Sequence, residues 1–129
     1  MDTYKIHGIN GPVVTIKGKT SLSMMEMVYV GSEKLVGEVI SLSEDFATIQ
    51  VYEETTGLKV GEPVESSGSP MCVTLGPGII DNIFDGIERP LKDISKISGS
   101  FISRGSNIPS LDENRTWQVK ITVKKGDIL

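Results

Sequence analysis

A chain of 129 residues, 38% apolar and 23% charged, can form one domain, or one domain and the start of a second, around an aliphatic core. Its formal net charge of −4 disfavours nucleic-acid binding, because neutralising phosphates requires clustered Lys and Arg. The single cysteine, Cys72, excludes an internal disulfide, and no apolar run is long enough for a transmembrane helix or a signal-peptide core.

The first half of the chain has the pattern of short β-strands. Val- and Ile-rich runs predict strands at residues 6–9, 13–16, 27–30, 35–42 and 47–51, with a further short element beginning at 60–64. Turn signals separate these runs, and Gly37 is where we expect a bulge or a bend. Strict alternation in the fifth run predicts that Ile49 and Val51 share a face opposite to Thr48. Short strands at this spacing predict a small antiparallel barrel or sandwich.

The second half has a different pattern. Residues 66–70 are polar and predict a flexible connector. One short amphipathic helix is predicted near residues 79–87, because its apolar side chains recur at helical spacing, with Gly86 near its end and Pro90 preventing its extension. Residues 92–116 predict irregular structure.

The last segment alternates again. Residues 117–124 predict a strand with one apolar face, and a lone strand needs a paired neighbour. We expect it to pair with residues 71–75, or with a second copy of the chain, rather than stay mobile.

Gly18-Lys19-Thr20 matches only the end of a phosphate-binding P-loop. The full motif needs a glycine where this sequence has Val13, and it needs a helix after the loop, which is not predicted. Gly76-Pro77-Gly78 is expected to be a tight turn, since Pro77 has no amide hydrogen to offer an anion. We therefore expect no nucleotide site.

No other group of residues predicts catalysis. His7 is the only histidine, and Cys72 is expected to be a small buried residue. The pairs Glu44-Asp45 and Glu53-Glu54 are expected to be solvated turn charges. Residues 24–27, which hold three methionines, could form an adaptable contact surface or fill gaps in the core.

Several segments resemble one family. Residues 50–64, QVYEETTGLKVGEPV, closely resemble the N-terminal region of the catalytic (A) subunits of V-type (vacuolar/archaeal-type) ATPases. Residues 75–91, LGPGIIDNIFDGIERPL, and 98–105, SGSFISRG, are similar to the segments that follow in that family, and residues 9–14 resemble its opening strand and turn. F-type β subunits share the Gly-Glu-Pro-Val element but not Tyr-Glu-Glu-Thr-Thr.

The resemblance implies a mainly β architecture in three parts. These are a small N-terminal antiparallel β-barrel at residues 1–70, a connector with one short helix at 71–108, and the start of a β-containing insertion, often called the bulge, at 109–129. It also implies that the chain is the N-terminal part of a longer subunit that uses ATP and Mg downstream. No catalytic, cofactor-binding or metal residue is therefore expected in these 129 residues.

The implied function is assembly. Barrels of alternating catalytic and non-catalytic B subunits would form a ring in a hexamer, with stalk subunits as further partners. The parent complex would couple ATP hydrolysis or synthesis to proton or sodium transport, and the chain would lie on the cytoplasmic side of a membrane, which it would meet only through that complex. The alternative is a free-standing β-barrel interaction module unrelated to ATP, and a third hypothesis is an enzyme without a visible site.

Overall fold

The computed structural model of the protein describes residues 3–106 and 108–128, and within them six antiparallel strands close into a barrel. The strands are β1 (Thr3–Asn10), β2 (Val13–Lys17), β3 (Glu26–Val30), β4 (Leu35–Leu42), β5 (Phe46–Val51) and β6 (Pro63–Pro70). Their order around the barrel is β1-β2-β5-β4-β3-β6, and β6 returns to pair with β1. The expected antiparallel barrel is confirmed, and the first five strands contain the predicted runs.

Aliphatic side chains that alternate along the strands fill the barrel. In β5, Ala47, Ile49 and Val51 are buried, whereas Gln50 is exposed and Thr48 is half-buried. The predicted register of this strand is therefore confirmed. The buried cluster consists of Ile6, Val14, Ile16, Leu22, Val28, Val30, Leu35, Val39, Ala47, Ile49, Val51 and Val64. Burying one of the larger aliphatic side chains contributes about 1.5–3 kcal/mol, so this cluster is the main source of the barrel's stability.

The bulge in β4 lies beyond Gly37. The pairing of β4 with β5 shifts between Val39 and Ser41, so the predicted position was wrong. Gly37 has a different role, because it is buried and a Cβ there would lie 2.9 Å from Cγ2 of Ile49 and 3.0 Å from the carbonyl oxygen of Gln50. The glycine therefore lets Ile49 fill the barrel beside the backbone of β4.

The connector begins later than predicted. Residues 66–70 belong to β6, where Val28 pairs with Ser66 and Glu26 pairs with Pro70. Polar composition was a poor guide here, because the outer face of a barrel strand is solvated and small polar residues fit it. Beyond β6 the described residues contain a 3-10 helix at Pro77–Ile79 and one α-helix, α1, at Leu91–Ser98.

The predicted helix near residues 79–87 was wrong. Asp81 has a φ of +66°, and the carboxylate of Asp85 accepts the backbone N–H groups of Ile87 and Arg89, at 3.1 and 2.8 Å. Such side-chain to backbone bonds hold a turn and compete with a helix. Pro90 is instead the residue before α1, where the Ile94 amide bonds to its carbonyl at 3.0 Å, so residues 92–116 are not wholly irregular.

The strand predicted at residues 117–124 is also absent from the described chain. Trp117, Val119, Ile121 and Val123 are 41–80% exposed, and no backbone ladder joins them to residues 71–75. The reason is that the closed barrel leaves no free strand edge, and a single strand cannot bury a face without a partner.

We expect this tail to exchange its amide hydrogens rapidly. In dilute solution the amides of residues 118–123 should exchange at least about a hundredfold faster than that of Ile49, since only the latter lies in a buried ladder. Hydrogen exchange followed by NMR measures this. Slow exchange that persists on dilution would contradict the expectation, whereas protection that rises with protein concentration would mark pairing between copies.

Candidate functional site

The Gly18-Lys19-Thr20 segment lies in the loop that leaves β2. The Gly18 amide donates a hydrogen bond to the carbonyl of Asp45 at 2.7 Å, so it serves the end of the barrel rather than an anion. Lys19 is exposed, and the loop leads into β3, not into a helix. The geometry therefore matches the interpretation of this tripeptide as a barrel loop.

Two other expectations concern single residues. His7 is exposed on β1, with its ring centroid 5.9 Å from that of Phe46. Cys72 is exposed, so its expected burial was wrong: it follows β6 on the outside of the closed barrel. Met24 and Met25 are 50% and 54% exposed, which favours a contact surface over core filling for that pair.

Glu26 is a buried carboxylate that the sequence does not reveal. It is 4% exposed and accepts hydrogen bonds from the Ser23 amide at 2.8 Å, the Ser66 hydroxyl at 2.5 Å and the Gly68 amide at 3.3 Å. These donors satisfy the carboxylate, as burial requires. Glu26 thereby fastens the loop between β2 and β3 to strand β6.

The two pairs of neighbouring carboxylates differ. Glu44 and Asp45 are exposed in the turn between β4 and β5, as expected. Glu54 is exposed as well, but the side chain of Glu53 is only 6% exposed, so the expectation of a solvated charge there was wrong. Glu53 follows β5 directly and points toward the chain that comes after β6.

Glu53, Arg89 and Asp85 form a compact charged cluster at this junction. Nη1 of Arg89 lies 2.7 Å from Oε2 of Glu53, and its Nε lies 2.7 Å from Oδ2 of Asp85. The Arg89 and Asp85 side chains are 15% and 16% exposed. One planar guanidinium thus joins a carboxylate of the barrel to a carboxylate of the later segment, the geometry for which arginine is better suited than lysine.

The cluster shifts the pKa of two of its members. Burial alone would raise the pKa of Asp85, but hydrogen bonds from the amide and guanidinium of Arg89 and from the Ile87 amide, with the charge of Arg89, hold it below its usual 3.8. Burial likewise opposes the charge of Arg89, but its hydrogen bonds to Asp85 and Glu53 raise its pKa above the ordinary value. Both groups are therefore held in their charged forms.

The turn at residues 85–89 should be sensitive to acid. Because the pKa of Asp85 is lower in the folded chain than in the unfolded chain, its stabilising effect is complete well above pH 3.8 and is lost as the pH falls below 3.8 through the folded value. An NMR pH titration should show the Ile87 and Arg89 amide resonances moving in that window. Asp85→Asn, which keeps an acceptor oxygen, should abolish the step, and a wild-type midpoint above 3.8 would contradict the assignment.

A second polar contact joins the same two parts of the chain. Arg104 donates to the carbonyl oxygen of Thr56, and its Nη2 lies 3.0 Å from Oε1 of Glu33. The amide of the next residue, Gly105, donates to Oε2 of Glu53 at 3.0 Å. The junction therefore consists of the loop after β5, the turn at residues 85–89 and the segment at residues 104–105.

Sequence reasoning missed this junction because its members lie far apart along the chain. Glu53 and Arg89 are separated by 36 positions, and Arg104 and Glu33 by 71. No local period or spacing links such residues. The one available signal was that the two resembling segments, residues 50–64 and 75–91, contain charged residues of opposite sign, Glu53 and Arg89, close to apolar neighbours.

Two searches of the described residues gave no site. Among residues 3–106 and 108–128, no three His, Cys, Asp or Glu side chains are grouped so that they could hold a metal ion. None of the helices in that part of the chain is long and apolar enough to cross a membrane.

Comparisons with known proteins agree with the fold. Residues 6–68 match the beta-barrel domain of the ATP synthase alpha/beta family. The V-type ATP synthase alpha chain 2 of Clostridium tetani is 56% identical over 124 residues, which are 96% of this chain and 21% of that protein. The V-type ATP synthase alpha chain of Halothermothrix orenii is 57% identical over 119 residues, 92% and 20%. An A-type ATP synthase protein of Nanoarchaeum equitans is 52% identical over 126 residues, 97% and 22%.

The chain thus spans about a fifth of the length of the curated relatives it matches, 20–22% in these three. Similarity covers the barrel and continues through the segment after β6, since the matched residues are more than nine-tenths of the chain. On the match of the barrel and on these identities, the chain belongs to the ATP synthase alpha/beta family and resembles its V-type and A-type catalytic-subunit branch.

Proposed function

We propose that the chain is the N-terminal assembly domain of the catalytic (A) subunit of a V-type or A-type rotary ATPase. Its partners would be non-catalytic B subunits in an alternating hexamer, together with stalk subunits. The longer subunit would use ATP and Mg to couple hydrolysis or synthesis to proton or sodium transport. The chain would lie on the cytoplasmic side of a membrane, attached to it through the complex.

The observation that carries this proposal is the closed barrel at residues 3–70, which coincides with the match to the family's beta-barrel domain at residues 6–68. A closed sheet has no free edge and keeps its shape under load, which suits a domain that holds neighbouring subunits together. The three-part division also belongs to the proposal: a barrel at 1–70, a connector at 71–108 and the start of an insertion at 109–129, with no catalytic or cofactor-binding residue among them.

The alternative, a free-standing β-barrel interaction module, is not favoured. Such a module would resemble other proteins over its barrel only, whereas 96% of this chain is matched by the Clostridium tetani protein. The names of the relatives are all those of ATP synthase or ATPase components.

A chimaera tests the proposal. This chain would replace the matched region of the Clostridium tetani alpha chain 2, to which it is 56% identical, and the product would be co-expressed with the non-catalytic subunit of that organism. Native mass spectrometry should detect the alternating hexamer, and Mg-dependent ATP hydrolysis should be retained.

The matched control is a chimaera without residues 3–70, which should keep its downstream sequence but fail to form hexamers. A second control carries Thr48→Ala, a half-buried change on the outer face of β5, and should assemble normally. Equal hexamer yields with and without the barrel would contradict an assembly role.

A further inference from the structure

The chain after β6 returns to one loop of the barrel, residues 53–57, which we name the receptor loop. Arg89 binds the side chain of Glu53, and Arg104 binds the carbonyl of Thr56. From this geometry we propose that Arg89, Arg104 and Gly105 form a two-point clamp on the receptor loop. The clamp fixes the orientation of residues 85–105 on the barrel and thereby sets the direction in which the chain continues.

The first point of the clamp is Glu53. Its Oε1 accepts a hydrogen bond from the Val36 amide at 3.3 Å, which anchors the side chain to β4. Its Oε2 accepts from Nη1 of Arg89 at 2.7 Å and from the Gly105 amide at 3.0 Å. A single buried oxygen therefore joins the turn at residues 85–89 to the segment at residues 104–105 and holds both against the barrel.

The second point is Arg104. Its Nη1 donates to the carbonyl oxygens of Thr56 and, at 3.4 Å, of Glu54, and its Nη2 pairs with Glu33 at 3.0 Å. The guanidinium therefore spans the receptor loop and the turn between β3 and β4. Multiple donors in one plane give such a contact a fixed direction, which a flexible lysine would not.

Gly105 is required for the close approach. Its φ is +64°, and a Cβ at this position would lie 2.2 Å from the carbonyl oxygen of Glu33. Any other residue would push the segment away from the barrel. Gly99 offers a matched comparison, because it also has a positive φ, +74°, but no atom within 4 Å of an added Cβ.

Apolar packing does not replace these contacts. Within the described residues, the buried cluster of the barrel contains nothing beyond Val64. In addition, an open cleft of about 260 Å³ remains where Met71, Ile87 and Ile108 face the outer side of β3 and β4. The orientation of the later segment therefore depends on directed polar bonds. This inference stands on the junction alone, so it does not depend on the proposed function.

Residual dipolar couplings of the 129-residue chain test the clamp directly. In the wild type, the N–H couplings of α1 and of the barrel strands should fit one alignment tensor. In the double variant Glu53→Gln/Arg104→Gln the α1 couplings should shrink and lose that common fit, while the barrel couplings persist. The Gly105 amide should also exchange at least about tenfold faster, the equivalent of about 1.4 kcal/mol. Glutamine at 53 keeps an oxygen for Val36 but turns an amine toward Arg89 and Gly105.

Three further variants complete the experiment. Lys96→Gln removes an exposed cation of α1, whose pair with Asp93 makes no contact with the barrel, and should keep the common tensor. Gly105→Ala should release residues 104–105 as the double variant does, whereas Gly99→Ala should not. Gly105→Ala also decides the matter if Glu53→Gln unfolds the barrel. A wild-type α1 that fails the barrel tensor, or a Gly105→Ala variant that keeps it, would overturn the proposal.

Discussion

Replacing Ile49 with alanine should lower the free energy of unfolding by about 2–5 kcal/mol, because it removes a large aliphatic side chain from a well-packed interior. Ile49 is 0% exposed and pairs with Val14 on one side and Val39 on the other, so it lies at the centre of the β2-β5-β4 sheet. Chemical denaturation followed by far-ultraviolet circular dichroism measures the change.

Thr48→Ala is the matched control on the same strand. Thr48 faces outward and is half-buried, so its loss should cost about 1 kcal/mol or less, the scale of β-propensity differences. Similar losses at the two positions would show that β5 does not present alternate residues to the interior. The comparison therefore tests the register of the barrel and not merely its stability.

Replacing Gly37 with alanine should destabilise the barrel by about 1–3 kcal/mol, the usual cost of an extra methyl group in a filled interior. The new Cβ would lie 2.9 Å from Cγ2 of Ile49 and 3.0 Å from the backbone oxygen of Gln50. The matched control is Gly86→Ala, since an added Cβ at Gly86 meets no atom within 4 Å. The same denaturation assay applies to both.

The two interior changes should not be additive. Alanine at position 37 would fill part of the space that Ile49→Ala leaves, so the double variant should lose less stability than the two single losses together. Strict additivity would contradict the contact between the two side chains. Near-neutral behaviour of Gly37→Ala alone would mean that β4 can move away from β5.

The barrel was predictable because each of its first five strands has a local signature. In β5 the alternation of Ala47, Ile49 and Val51 with polar residues reports the burial that the barrel imposes, and turn residues separate the strands. After β6 the same reasoning failed. The apolar spacing at residues 79–87 predicted a helix, but the side chain of Asp85 captures the amides of Ile87 and Arg89 and forms a turn instead.

The junction could not be predicted, for a related reason. A strand or a helix is specified by neighbours in sequence, whereas Glu53 is buried only because Arg89 and Gly105 return to it in space. Read by itself, the pair Glu53-Glu54 predicts two solvated charges, and half of that prediction was wrong. The composition also gave no warning about residues 117–124, whose alternation is that of a strand but which lack a neighbour within the described chain.

The closure of the barrel by β1 and β6 has a consequence for the order of folding. Strands β3, β4 and β5 are joined by short turns and can pair soon after they are made, but Thr3 and Lys5 must find Glu65 and Pro63 at the far end of the domain. Such a seam has a high contact order and should form late and slowly. On a ribosome adding about 5–20 residues per second, β1 waits several seconds for its second neighbour. During that interval the nascent domain has an open edge, and a chaperone that covers β1 would protect it best.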